Sequence, residues 1–181
     1  MDEMEFETTR SRPSTPESER PETDMQIQTS RFGAIDVDET RLITVVGGLL
    51  GFPHATQFAM IQTGEENYFF WLQSVDDANL AFVVCDPSVF LPDYTIDQVP
   101  VRQETHDALE LEAEADLHEV LQVLAICNRV GDWLTGNLLG PLVINVTNCR
   151  AKQVVLTEKK WSTRQPLLEL AVAELPLRKS A

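Results

Sequence analysis

Apolar and polar positions alternate along this chain in short runs rather than in long stripes. In "MQIQTSRFGAIDVD" (residues 25–38), Met25 and Ile27, then Ile35 and Val37, recur at a period of two. That is the spacing of half-buried strands, whose side chains point to opposite faces in turn. "RLITVV" (41–46) is a third run, and it ends at "GGLLGFP" (47–53), where three glycines and a proline force a loop. "QFAMIQ" (57–62) and "YFFWLQS" (68–74) follow, joined by the turn segment "TGEEN", and "LAFVVC" (80–85) closes at Asp-Pro. Trp71 and Phe82 read as core positions of two of these strands. Residues 103–109 are helix formers without a long 3.6-residue stripe, so one short helix is placed there. From about residue 117 the chain turns β-branched and apolar, predicting a strand near 119–127. "WLTGNLL", "PLVINVT" and "AKQVVLT" complete the set. About ten short strands, with turn signals every 8 to 12 residues, predict a mostly β chain: a small antiparallel, partly open β-barrel with one short helix.

"NLLGPLVINVTNCRAKQVVL" (137–156) poses a sharper question, because two asparagines interrupt an apolar hairpin. If Asn148 and Cys149 form a two-residue turn, Asn145 faces Lys152 and Ile144 faces Gln153. Leu142 and Ile144 then share a face with Ala151, while Val143 and Asn145 share the other with Lys152 and Val154. On this register Asn145 is a wet rim residue beside Lys152. Asn137 follows Gly136 and precedes an apolar pair, where a bulge or an amide bond to backbone fits. Structural duty is the expectation for both.

Composition changes the picture at the ends. Residues 1–23 are rich in Glu, Ser, Thr, Pro and Arg and nearly devoid of apolar side chains. Such a segment cannot bury enough surface to offset its chain entropy, so a disordered acidic extension is expected there. A folded domain is expected over 24–167 and a tail over 168–181. The acidic start lacks the basic and apolar regions of a secretory signal, and no run is long enough to span a membrane, so a cytoplasmic address is expected.

Charge narrows the function. The net charge is −15, which argues against direct nucleic-acid binding, since phosphates are met by clusters of Lys and Arg. Between residues 65 and 132 there are fifteen acids and two bases, whereas 150–164 is predominantly basic. An acidic face suits a basic partner.

Candidate chemistry is sparse. Cys85, Cys127 and Cys149 lie in or beside apolar strands without C-x-x-C spacing, so buried free thiols are expected. His106 and His118 lie twelve residues apart in an acidic run, which is no known ligand spacing, and no glycine-rich phosphate loop opens a helix. No catalytic constellation, metal site or cofactor is expected. "DPSVFLPDY" (86–94) carries two prolines, two aromatics and two acids at a strand end. It reads either as a rigid recognition loop or as a plug in which Phe90 and Tyr94 fill the fold.

Three stretches resemble one family. "GLLGFPHATQFAMI", "FFWLQSVDDANLAFVVCDPSVFLPDY" and "TGNLLGPLVINVTNCRAKQVVL" occur here in the order of its motifs. Together they are similar to the flagellar assembly factor family known as FliW, over about residues 25–167. The resemblance implies a non-enzymatic protein that binds cytosolic flagellin and antagonises the carbon storage regulator (CsrA), a small basic RNA-binding repressor of flagellin translation. Asp86, Phe90, Asp93, Tyr94, Glu104, Glu112, Asn137 and Asn145 are the candidate partner-binding residues. The alternative is a small-ligand-binding β-barrel or an uncharacterised hydrolase, for which no convergent polar set is visible.

Overall fold

A computed structural model of the chain describes residues 24–62 and 68–170. The expected disordered extension (1–23), the turn 63–67 and all but the first residues of the expected tail lie outside the described residues.

The first alternating run forms a hairpin of β1 (Asp24–Thr29) and β2 (Gly33–Asp38), with Ile27 opposite Ile35. Thr29 closes its turn: the hydroxyl accepts from Phe32 N–H at 2.8 Å and donates to the Gly33 carbonyl at 3.0 Å. The next strands are β3 (Ile43–Val45), β4 (Gln57–Gln62), β5 (Phe69–Ser74) and β6 (Ala81–Cys85). A long crossover follows, bearing α1 (Gln103–Ala108) and a second, one-turn helix α2 (Leu117–Val120) that the sequence pattern did not predict. Then come β7 (Leu121–Val130), β8 (Trp133–Gly136), β9 (Leu142–Asn145), β10 (Arg150–Gln153) and β11 (Gln165–Glu169).

The sheet runs β7-β6-β5-β4-β3-β10-β9 and returns to β7. β7 achieves this by its length: Leu121–Leu124 pair with β9, while Ala125–Cys127 pair with β6. A seven-strand ring results, with β8 and β11 extending from the far half of β7. Pairing is antiparallel except between β3 and β10, which run parallel with Thr44 opposite Arg150.

Alternation along the ring sorts side chains into two cores. Phe58, Leu72, Val84, Leu124, Leu142 and Ile144 point inward and fill the ring. Side chains account for most of the interior of a ring of this size. The second core lies outside the wall, where Tyr94, Leu109, Leu111 and Leu138 cover Val143 and Ala125. Hence β9 is buried on both faces. Trp71 corrects the sequence reading: it faces outward from β5 and is half-buried, with the Phe32 ring 5.9 Å away and Arg31 Cζ 4.5 Å above it. Phe82 is half-buried too, packed against Phe58 and the loop residue Phe52.

Candidate partner-binding surface

The β9–β10 hairpin grips the end of α1. Asn145 is opposite Arg150, not Lys152, because the connecting loop has four residues rather than two. Cys149, not Asn148, takes the left-handed conformation (φ 57°) in that loop. A shift of two keeps the faces while changing every partner, so Asn145 still points outward from the ring. It is nonetheless only 3% exposed, because α1 covers it. Its Nδ2 donates to the Leu109 carbonyl at 3.0 Å, and its Oδ1 accepts from Thr147 N–H and hydroxyl. Asn148 Nδ2 also donates to Leu109, and Arg150 Nε donates to the Ala108 carbonyl at 2.8 Å. The last carbonyls of a helix have no partner within it; here side chains of one hairpin supply them. Glu110 then turns the chain at φ 50°.

Ion pairs reinforce the clamp: Arg150 Nη1 to Glu110 Oε1 at 3.2 Å, and Lys152 Nζ to Glu104 Oε1 at 3.0 Å. Part of the basic stretch is thereby matched to acids of the crossover. Beyond the clamp, Leu111 turns inward, while Glu112, Glu114, Asp116 and Glu119 stay exposed. Asp116 caps α2 by accepting from His118 N–H at 2.9 Å, and His118 Nε2 lies 3.1 Å from Asp97.

The loop after β6 divides between the two readings left open for it. Asp86 accepts from Ser88 N–H (2.8 Å) and hydroxyl (2.6 Å), fixing the turn Pro87–Val89. Phe90 is half-buried and stacks on Phe69 with centroids 5.5 Å apart, and Tyr68 meets its ring edge-on. Tyr68 and Val89 extend this strip into solvent, and Asp93 is exposed. Tyr94, by contrast, is 1% exposed: its hydroxyl donates to the Leu138 carbonyl at 2.8 Å, and its ring meets Trp161 edge-on. Burial pushes the Tyr94 phenol well above its ordinary value. Asn137 is half-buried, its backbone N–H donates to Ile126, and its amide lies against Gly140, where an added Cβ would meet Nδ2 at 2.9 Å.

Of the eight candidates, Asp93, Glu104 and Glu112 are exposed, Asp86, Phe90 and Asn137 are half-buried, and Tyr94 and Asn145 are buried. Two features escaped the sequence reading. Gln73, fully buried, donates its amide to the carbonyls of Ser74, Asp77 and Leu80 and so fixes the β5–β6 turn. Leu50 is 61% exposed on the loop after β3, its N–H held by Gln153 Oε1 at 2.8 Å. Glycines marked that loop in the sequence, but not the direction in which Leu50 would point. Among the described residues no group of three or more His, Cys, Asp or Glu is placed to hold a metal ion, and no helix is long and apolar enough to cross a membrane.

Comparison with known proteins matches this geometry to one family. Residues 26–167 match the family model described as "FliW protein". The chain is 38% identical over 144 residues to "Flagellar assembly factor FliW" of Treponema denticola, covering 80% of this chain and 94% of that one. It is 40% identical over 144 residues to the like-named protein of Magnetococcus marinus, covering 80% and 85%. A solved structure, "Crystal structure of the flagellar assembly factor FliW", superposes with a TM-score of 0.68 at 30% identity, covering 80% of this chain and 97% of that one.

Proposed function

The chain belongs to the FliW family of flagellar assembly factors, and from that membership we propose that it is a cytoplasmic regulator with two protein partners. It binds flagellin before export. When flagellin is scarce it binds the carbon storage regulator and frees flagellin messages from repression. No catalytic step belongs to this reading.

The observation that carries it is the acidic crossover. α1 is clamped to the barrel and Leu109 and Leu111 are buried, so Glu112, Glu114, Asp116 and Glu119 are held outward from a fixed backbone. Asp93 on the preceding loop is exposed as well. A rigid negative face attracts a basic partner and repels RNA phosphates. The strip of Phe90, Tyr68 and Val89 offers apolar contact for a flagellin helix. In this reading Asp86, Phe90, Asp93, Glu104 and Glu112 form the contact surface, and Tyr94, Asn137 and Asn145 hold the backbone beneath it.

Size-exclusion mixing with purified flagellin and purified regulator, separately and together, tests the partner assignment. The regulator's affinity should fall steeply between low and high sodium chloride, because exposed charges are screened beyond about 8–10 Å at physiological ionic strength. It should fall further with Asp93→Asn and Glu112→Gln together. Flagellin affinity should change little with salt, because apolar burial tolerates it. A regulator affinity that ignores both salt and the double substitution rules out the acidic-face mechanism.

A further inference from the structure

Beside the aromatic strip lies a pair of buried thiols; the hydrogen bond to Cys127 and burial push the Cys85 thiol well above its ordinary value, so reaction waits on local opening. Cys85 and Cys127 are free thiols with their Sγ atoms 3.3 Å apart. We propose that they form a dithiol site, which two-electron thiol oxidants convert reversibly to a disulfide across β6 and β7.

The register places them. Cys85 is opposite Ala125 and Val83 is opposite Cys127, so the two cysteines are diagonal neighbours on one face of the wall. Both are buried, at 0% and 5% exposure, and Cys127 Sγ also lies 3.5 Å from the Ala125 carbonyl. A disulfide needs the sulfurs at about 2.05 Å, so closure asks for a movement of about 1.2 Å. Diagonal positions stand farther apart than directly opposite ones, and closing the bond draws the strands together. Such a strained disulfide is readily reduced, which makes the site reversible.

Order of reaction follows from placement. Cys127 is the last residue of β7 paired with β6, and on its other edge it pairs with Gly136 of β8, so local opening of that end of β7 must precede its reaction. With a diazene dicarboxamide such as diamide, the Cys127 thiol adds across the N=N bond and its proton passes to one nitrogen. Cys85 Sγ then attacks Cys127 Sγ; the S–N bond breaks, and the Cys85 proton goes to the second nitrogen. Two thiols lose two electrons and two protons, and the diazene leaves as a hydrazine. The site also adjoins the partner-binding surface: Cys85 is directly opposite Phe69, which stacks on Phe90, and it precedes Asp86.

The test uses the full chain with its three cysteines. Diamide treatment, denaturing alkylation, intact mass and peptide mapping read the outcome. Free thiols should fall from three to one, with Cys149 alkylated and the Cys85 and Cys127 peptides joined within one chain. A thiol reductant should restore all three. Cys127→Ala should abolish the linkage, and Cys149→Asn, which keeps a residue tolerant of the left-handed backbone, should leave it intact. Three free thiols after treatment, or links that involve Cys149 or join two chains, would overturn the proposal. The mapping on the unsubstituted chain decides the matter even if Cys127→Ala folds poorly.

Discussion

Tyr94→Phe removes one O–H and leaves the Leu138 carbonyl without its donor inside the outer core. An unsatisfied buried acceptor costs about 1–3 kcal/mol, and denaturant unfolding at neutral pH should show a loss of that size. The alkaline limb should change as well. Burial raises the phenol's pKa in the folded state, so the folded chain keeps its proton where the unfolded chain, with a pKa of about 10, gives it up. Tyr94 therefore contributes fully below about pH 10, and its contribution drains away as the pH climbs toward the folded value. Comparing unfolding free energies at neutral pH and above pH 10, the Phe variant should lose less than the parent. Asn145→Ala strips the Leu109 carbonyl of one donor and Thr147 of its acceptor. It should destabilise the fold by about 1–3 kcal/mol, and faster amide exchange at the end of α1 should accompany that loss.

At the scale of elements, the loop after β3 offers a paired test. Gly48 adopts φ +70°, and an added Cβ would lie 2.6 Å from the Pro53 carbonyl oxygen; Gly47 adopts φ +81° with open space around it. Gly47→Ala carries only the left-handed penalty of about 1–2 kcal/mol. Gly48→Ala adds a backbone collision, so its melting temperature should fall clearly further. Equal losses would show that the loop relaxes around the collision. Other elements show what a sequence can reveal. The strands from 24 to 85 and the inward-outward alternation of β9 were legible, because a period of two survives whatever the partner is; that the outer face of β9, Asn145 included, would be buried was not. The partner of Asn145 was not, since two extra loop residues move the register without disturbing the pattern. α2 is a single turn, too short for any helical period. β11 was missed because Pro166 speaks against a strand; it is accommodated at the edge of the sheet, beside a bulge. Of the candidate site, the acidic run and the aromatic loop were visible as composition. That Tyr94 turns in while Phe90 stays near the surface depends on Leu138, forty-four residues away.

For the whole molecule, composition predicts that residues 1–23 contribute little to the core. Deleting them should leave the folding stability, and the affinities for the two proposed partners, within about 1 kcal/mol of the full chain. A larger loss in either would show the segment engaged.

The parallel contact of β3 with β10 has a consequence in time. Synthesis proceeds from one end, and the staves at 43–45 must wait for residues 150–151 before the ring can shut. A nascent chain that has just completed β7 has made five of the seven staves, β3 to β7, and shows their greasy inner faces to the cell. At roughly 5–20 residues per second, that exposure lasts a second or more after β7 is made. The ribosome, not the loop lengths, sets the earliest moment of closure. Chains stalled or cut before residue 142, which lack β9 and β10, should therefore be caught by chaperones or lost to aggregation. Chains released after residue 170 should fold without help.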